Sequence, residues 1–281
     1  MAKYRCSTSI QRIEHYLKEG RGQGRGKDYK PWLQIQDLPS RGLTTRIKGW
    51  KTGREHHLFS KLETSVFYIL DWSLKVIDIR EQFPLLPVEQ TQEIAEKCGF
   101  RHPQDSHTKQ PLVMTTDFLV TLRSHEGETN IVRAIKSSAE LQSQRTLEKL
   151  EIERIYWKNH NTDWAIVTEK EILKNLVNNL EWLHPRYFLE DLNPLDKSDV
   201  LRIHSVLTPL IIQGKETLSK LTNFCDNQLG LEAGTSLSVA RHLIANRHWL
   251  VDMNQPIKPS HKLVLLEDLT AEMKSNIGDV V

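Results

Sequence analysis

The 281-residue sequence predicts an α/β protein, a mixed sheet flanked by helices, followed by a smaller α+β domain. Three observations carry this. From residue 60 to 183, apolar segments switch between strand-like and helical periodicity in the order helix, three strands, helix, strand, helix. Residues 184–199, HPRYFLEDLNPLDKSD, then gather Pro, Asp and Asn and interrupt the pattern. Beyond them, three helical segments precede two short apolar strands. Domains of 1–184 and 185–281 follow. With 38% hydrophobic and 26% charged residues the chain has a globular rather than a disordered composition. A net charge of +2 makes any basic surface a local one.

In chain order, SIQRIEHYLKE (9–19) places Ile10, Ile13 and Leu17 on one side of a short helix. GRGQGRGKDYKPW (20–32) combines four glycines with Arg21, Arg25, Lys27 and Lys30. It lacks the GK[ST] of a phosphate-binding P-loop, and no helical pattern follows. It reads either as a flexible solvated loop or as a pliable basic arm on DNA phosphates. GLTTRIKGWKTGREHH (42–57) predicts a hairpin turning at Thr52 and Gly53. SKLETSVFYILDW (60–72) is helical, with Leu62, Val66, Ile69 and Leu70 on one face. VIDIREQFPLL (76–86) is a strand ended by Pro84 and Pro87, and the polar stretch 88–111 reads as a loop. MTTDFLVTLRSHEGETNIVRAIKSSAEL (114–141) holds two strands joined by a polar turn. A long helix over 141–160, a buried strand over 163–168 and a helix over 174–183 complete the first domain.

In the second domain, helices in 198–211, 214–229 and the start of 236–266 precede a strand, a proline-rich turn and a strand. That is the element order of a winged helix, a fold that binds DNA or protein. Its third helix carries Arg241, His242, Arg247 and His248, a cluster too small to favour DNA over protein docking.

The chemistry gathers on Glu63, Asp117 and Lys136. Two carboxylates can hold a hard cation such as Mg2+, or Mn2+ in its place, and the Ile135 carbonyl offers a further oxygen. Such an ion activates water against a phosphodiester, and a neighbouring lysine orients that water and neutralises charge on phosphorus. An acid on one strand and a lysine on its hairpin neighbour is how metal-dependent nucleases of the restriction-endonuclease type build their site. Each residue also has a structural reading. Ser60-x-x-Glu63 is a capping box, Asp117 could end a turn, and Lys136 could be a solvated strand-end charge. Other clusters offer less. His56 and His57 are adjacent on a strand and point to opposite faces. His102 and His107 lack ligand spacing. Cys6, Cys98 and Cys225 are odd in number and far apart, against a disulfide framework or a zinc site. No apolar run reaches membrane-spanning length, and the N-terminus lacks a signal-peptide core, so a cytoplasmic setting is expected.

The stretches EGRGQGRGKDYKPWL (19–33), KTGREHHLFSKLE (51–63), IDIREQFPLLP (77–87), MTTDFLV (114–120) and RTLEKLEIERIYW (145–157) closely resemble the TnsA family. TnsA proteins are endonuclease subunits of heteromeric bacterial transposases. The resemblance is dense over residues 10–170 and fades in the last third. It implies a restriction-endonuclease-like first domain, a winged-helix second domain and cleavage at the 5′ ends of a transposon. It further implies TnsB as the partner that cuts and joins the 3′ ends, TnsC as an ATPase regulator, and no membrane. It places the metal-binding acids on Glu63 and Asp117 and the catalytic lysine on Lys136. One departure stands out. The family usually has Gln or Glu two residues before the lysine, where this chain has Ala134. Alanine cannot ligate a metal or orient water. Either the site works with two acids and a carbonyl, or the chain is a catalytically impaired assembly protein that binds DNA ends and recruits TnsB and TnsC.

Overall fold

The computed structural model describes residues 9–37, 44–106 and 108–270. The start of the expected hairpin at 42 and 43, together with Cys6 and His107, lies outside them. Two compact units divide between Ile172 and Leu173. This falls upstream of the expected boundary at 184, because the helix over 174–183 packs on a helix of the second unit.

The first unit begins with helix α1 (Ser9–Lys18), the strands β1 (Thr45–Lys48) and β2 (Glu55–Leu58) of an antiparallel hairpin, and helix α2 (Lys61–Trp72). Ser60 caps α2, its hydroxyl accepting the Glu63 N–H at 3.1 Å. The buried face of α2 carries Glu63, Val66, Phe67 and Asp71, rotated from the expected Leu62–Val66–Ile69–Leu70 stripe. Polar demand turns it: the Asp71 carboxylate accepts the Trp50 and Lys51 N–H groups at 2.7 and 3.1 Å and so pins the hairpin turn.

Strand β3 (Val76–Pro84) leads to helix α3 (Val88–Lys97), where the sequence suggested a loop. Only Thr91, Ile94 and Ala95 of α3 are buried, so its apolar face is narrow and the rest of the helix resembles a polar connection. Pro87 before it and Gly99 after it are its start and stop signals. Strands β4 (Thr115–Ser124) and β5 (Gly127–Ile135) form a hairpin around His125 and Glu126. Helix α4 (Gln144–Asn159) then crosses over to β6 (Asp163–Val167). The sheet order is β3-β4-β5-β6, antiparallel except for the parallel β5–β6 pair that the α4 crossover makes possible. Leu85, Ile94, Leu119, Val132, Ile152, Tyr156 and Trp157 form the core between the sheet and helices α3 and α4.

The second unit contains helices α5 (Lys174–Leu183), α6 (Lys197–Gln213), α7 (Leu218–Leu229) and α8 (Thr235–Ala245), with a short pair of strands β7 (Trp249–Leu250) and β8 (Glu267–Asp268). The strand expected within 261–266 does not form; the pairing is two residues long and uses Glu267 and Asp268. Pro256 and Pro259 lie in the intervening chain, where they offer no N–H to a ladder. Asp226 on α7 caps α8, accepting the Gly234 and Ser236 N–H groups at 2.8 Å each. Arg241 donates to the Trp182 carbonyl and buried His242 bonds the Arg186 carbonyl, so this pair of the expected basic cluster is spent inside the unit. No helix among the described residues is long and apolar enough to cross a membrane.

Candidate active site

The β4–β5 ladder runs from Ser124↔Gly127 to Phe118↔Arg133 and stops. Strand β5 stays with β6 through Ile135↔Val167. The two inner strands therefore fork, and Asp117 sits in the fork. Its Oδ2, in place of a main-chain carbonyl, accepts the Ile135 N–H at 2.6 Å. The Lys136 ammonium donates to the same Oδ2 at 2.9 Å and to the Ile135 carbonyl at 2.7 Å. Asp117, Ile135 and Lys136 thus meet in one place. Burial works against the Lys136 charge, but Asp117 outweighs it and raises the lysine above its ordinary value.

Glu63 reaches the same field from α2. Its Oε2 accepts the Phe59 N–H at 3.0 Å and its Oε1 the Ser60 hydroxyl at 2.9 Å. The capping role is therefore real. Burial, then the charge of Asp117, push the Glu63 carboxyl up to about 7, which puts it within electrostatic reach of the fork. Ala134, fully buried, pairs with Ile166 and offers no polar side-chain atom there.

A third acid, unassigned from the sequence, faces this place. Glu153 on α4 is 6% exposed and lines a cavity of about 340 Å³ together with Asp117, Lys136, Thr115 and Lys149. Its Oε1 accepts the Thr116 hydroxyl at 2.5 Å and the Trp164 indole N–H at 3.0 Å. Burial, then Asp117, push it up to about 7. In the sequence it looks like one more charge of an ion-paired helix, as Glu148 and Glu151 are with Arg145 and Arg154. A heptad-scale signal was present, since Leu150, Glu153 and Trp157 share the buried stripe.

The donors suit a hard cation. Glu63 and Asp117 carboxylates and the Ile135 carbonyl are all oxygens, and the raised Glu63 carboxyl marks negative charge that a dication would relieve. Among the described residues, no group of three or more His, Cys, Asp or Glu is gathered to hold a metal ion.

The glycine-rich segment is pinned rather than pliable. Gly22, at φ +74°, packs where a Cβ would lie 2.4 Å from Pro84, and its N–H donates to Lys30 O at 2.7 Å. Arg21 is buried and donates to Asp37 and Glu19 carboxylates and to the Trp32 carbonyl, so its cation serves the fold. Arg25 pairs with Glu128 at 2.9 Å, and Lys30 donates to Glu19 O. Lys27 is exposed, and its side chain has no hydrogen bond or ion pair among the described residues. Below this segment Glu81 anchors a buried network: Arg54 at 2.5 Å and His56 Nδ1 at 2.8 Å both bond its Oε2, and the His57 N–H its Oε1. His57 instead accepts the Ile35 N–H through Nδ1, so the two histidines do face opposite ways.

A family model described as TnsA-like endonuclease N terminal matches residues 73–169, and one described as TnsA endonuclease C terminal matches residues 171–253. Asp117, Lys136 and Glu153 fall inside the first span and Glu63 before it. The transposon Tn7 transposition protein TnsA of Escherichia coli is 43% identical over 247 residues, 88% of this chain and 87% of that protein.

Proposed function

The chain belongs to the TnsA endonuclease family, and from that premise we propose that it cuts the 5′ strands at transposon ends by Mg2+-assisted hydrolysis, in concert with a TnsB transposase and under a TnsC regulator. The observation that carries this reading is the β4–β5 fork, which brings Asp117, the Ile135 carbonyl and Lys136 together, with the Glu63 carboxyl in electrostatic reach. Glu63, Asp117 and the Ile135 carbonyl would hold the ion. Bound there, it supplies a Lewis acid that activates water and offsets charge on the phosphate. Lys136 presents its ammonium to the attacked phosphate and its water, and Asp117 fixes the strand end from which it projects. Lys149, exposed at the cavity, and Lys27 would take DNA phosphates, with Arg25 and Lys30 in the same segment as Lys27 and Arg21 structural. The second unit is a winged-helix-like module that docks protein, since Arg241 and His242 face inward.

Ala134 favours a second reading, in which the chain assembles ends and recruits TnsB and TnsC without cutting. A strand-specific nicking assay on a plasmid bearing transposon ends, with TnsB and Mg2+, separates the two. Cleavage on the 5′ strand that is lost in Lys136→Ala supports the first. End binding with no cleavage at any Mg2+ concentration supports the second. Cleavage by the purified chain without TnsB would overturn both.

A further inference from the structure

Lys136 stands on the two atoms that a metal ion would claim. Its ammonium bonds Asp117 Oδ2 at 2.9 Å and the Ile135 carbonyl at 2.7 Å. An ammonium and a dication on the same oxygens repel each other, so an ion that takes them weakens the hold of the lysine there. Entry of an ion would therefore favour release of the lysine from these two partners. A largely buried ammonium without a counter-charge is costly, so some other carboxylate has to receive it. Ala134 has no atom for this. Glu63 is occupied by the Phe59 N–H and the Ser60 hydroxyl and would itself face the ion.

Glu153 meets the requirement. It lines the cavity that Asp117 and Lys136 share. Its Oε1 is fixed by Thr116 and Trp164, which orient the group, while Oε2 makes no hydrogen bond among the described residues. After Asp117, Glu153 is the acid whose charge Lys136 feels most, ahead of Glu63. Apart from its hydrogen bonds to Thr116 and Trp164, Glu153 feels the charges of Asp117 and Lys136, and Glu140 and Lys149 line the same cavity.

Resting on the metal-dependent reading above, we propose that Glu153 is a positioning residue that receives the Lys136 ammonium when an ion takes Asp117 and the Ile135 carbonyl. The lysine then stays in the cavity, held by helix α4, and remains available to the phosphate. Metal entry and lysine transfer become one coupled event, and Glu153 contributes to metal affinity without touching the metal.

The test is a double-mutant cycle in the full chain, using Mn2+ as the probe and the electron paramagnetic resonance signal of the free ion as the readout. Glu153→Gln is close in shape and keeps an acceptor for Thr116 and Trp164. With Lys136 present, it is expected to weaken Mn2+ binding about tenfold, because the ammonium stays on Asp117 and competes. In a Lys136→Ala background, the same substitution is expected to leave Mn2+ affinity unchanged. An unchanged affinity with Lys136 present overturns the proposal and leaves Glu153 a structural group. Equal weakening in both backgrounds also overturns it, making Glu153 a ligand or a support of the fold. If Glu153→Gln fails to fold, Glu153→Asp, which withdraws the charge by one methylene, replaces it with the same pattern expected. Absence of Mn2+ binding by the unmodified chain would instead sink the metal-dependent reading on which the proposal rests.

Discussion

At the scale of single residues, position 134 and the acid on α4 make the sharpest claims. Ala134 is fully buried on β5, two residues before Lys136, and the pleat puts both on one side of the strand. Ala134→Gln or Ala134→Glu adds a group able to position water beside the lysine. Loss of one positioning group lowers a rate by roughly two to three orders of magnitude, so its restoration is expected to raise 5′-strand cleavage with TnsB by a comparable factor. The gain should vanish when Lys136→Ala is added. A nicking time course that shows equal rates for Ala134 and both substitutions would remove this position from the chemistry. Glu153 yields a pH prediction. Its carboxyl is raised from 4.5 to about 7, first by burial and then by Asp117, so the fold favours its protonated form. That contribution to stability is whole below pH 4.5 and is lost as pH rises through about 7. Glu63 is shifted to about 7 in the same sense. Urea unfolding between these limits should show metal-free stability falling with pH, with a shallower fall in Glu153→Gln. An identical slope in that variant would contradict the assignment.

At the scale of elements, the fold separates cations paired in its interior from cations left exposed. Buried Glu81 on β3 ties together Arg54 and the two histidines of β2 and, through the Tyr29 hydroxyl bonded to its carbonyl at 3.0 Å, the glycine-rich segment. Burial alone would raise the Glu81 carboxyl, but His56 and Arg54 hold it well below the usual carboxylate range. Its contribution is therefore present above the ordinary carboxylate pKa and disappears as pH falls through its depressed value. Glu81→Gln leaves the Arg54 charge without its partner and should cost about 3–5 kcal/mol in chemical denaturation. Arg21 belongs with this group: Arg21→Ala should lower the melting temperature. Lys27→Ala with Lys30→Ala should leave the melting temperature unchanged while reducing the salt slope of end-DNA binding by about 2, one per phosphate contact. If Arg21→Ala altered the slope without altering stability, the division between the two kinds of cation would be reversed.

At the scale of the whole molecule, the chain forms two units, Met1–Ile172 and Leu173–Val281, and the second has its own capped helices and core. Its interior side chains include Val200, Ile203, Leu207, Leu218, Leu243 and Trp249, enough to bury an apolar face on each helix from α6 to α8. A fragment covering 173–281 should therefore unfold cooperatively by itself. It should bind TnsC in a pull-down while binding end DNA weakly, since Arg241 and His242 are used internally. A fragment that binds DNA tightly and ignores TnsC would reassign the unit to DNA reading.

What the sequence determined by itself is whatever local periodicity and short-range chemistry encode. It set the order of the sheet strands and of the long helices, the cap at Ser60, the opposite facing of His56 and His57 and, by resemblance, the family, and it nominated Glu63, Asp117, Ile135 and Lys136 as candidates. It missed α3, whose buried face is only three residues wide, and the true shape of the β7–β8 pair. Only the tertiary structure decided which charges meet. Arg21 looks identical to Lys27 as a basic residue beside glycine, yet one is bonded to Asp37 and the other is exposed. Glu153 looks identical to Glu151 on the same helix, yet one pairs with Arg154 at the surface and the other faces the fork that holds Asp117 and Lys136. The reason is physical. Periodicity reports which face of an element is apolar, whereas the partner of a buried charge comes from a distant part of the chain and is fixed only when the elements pack.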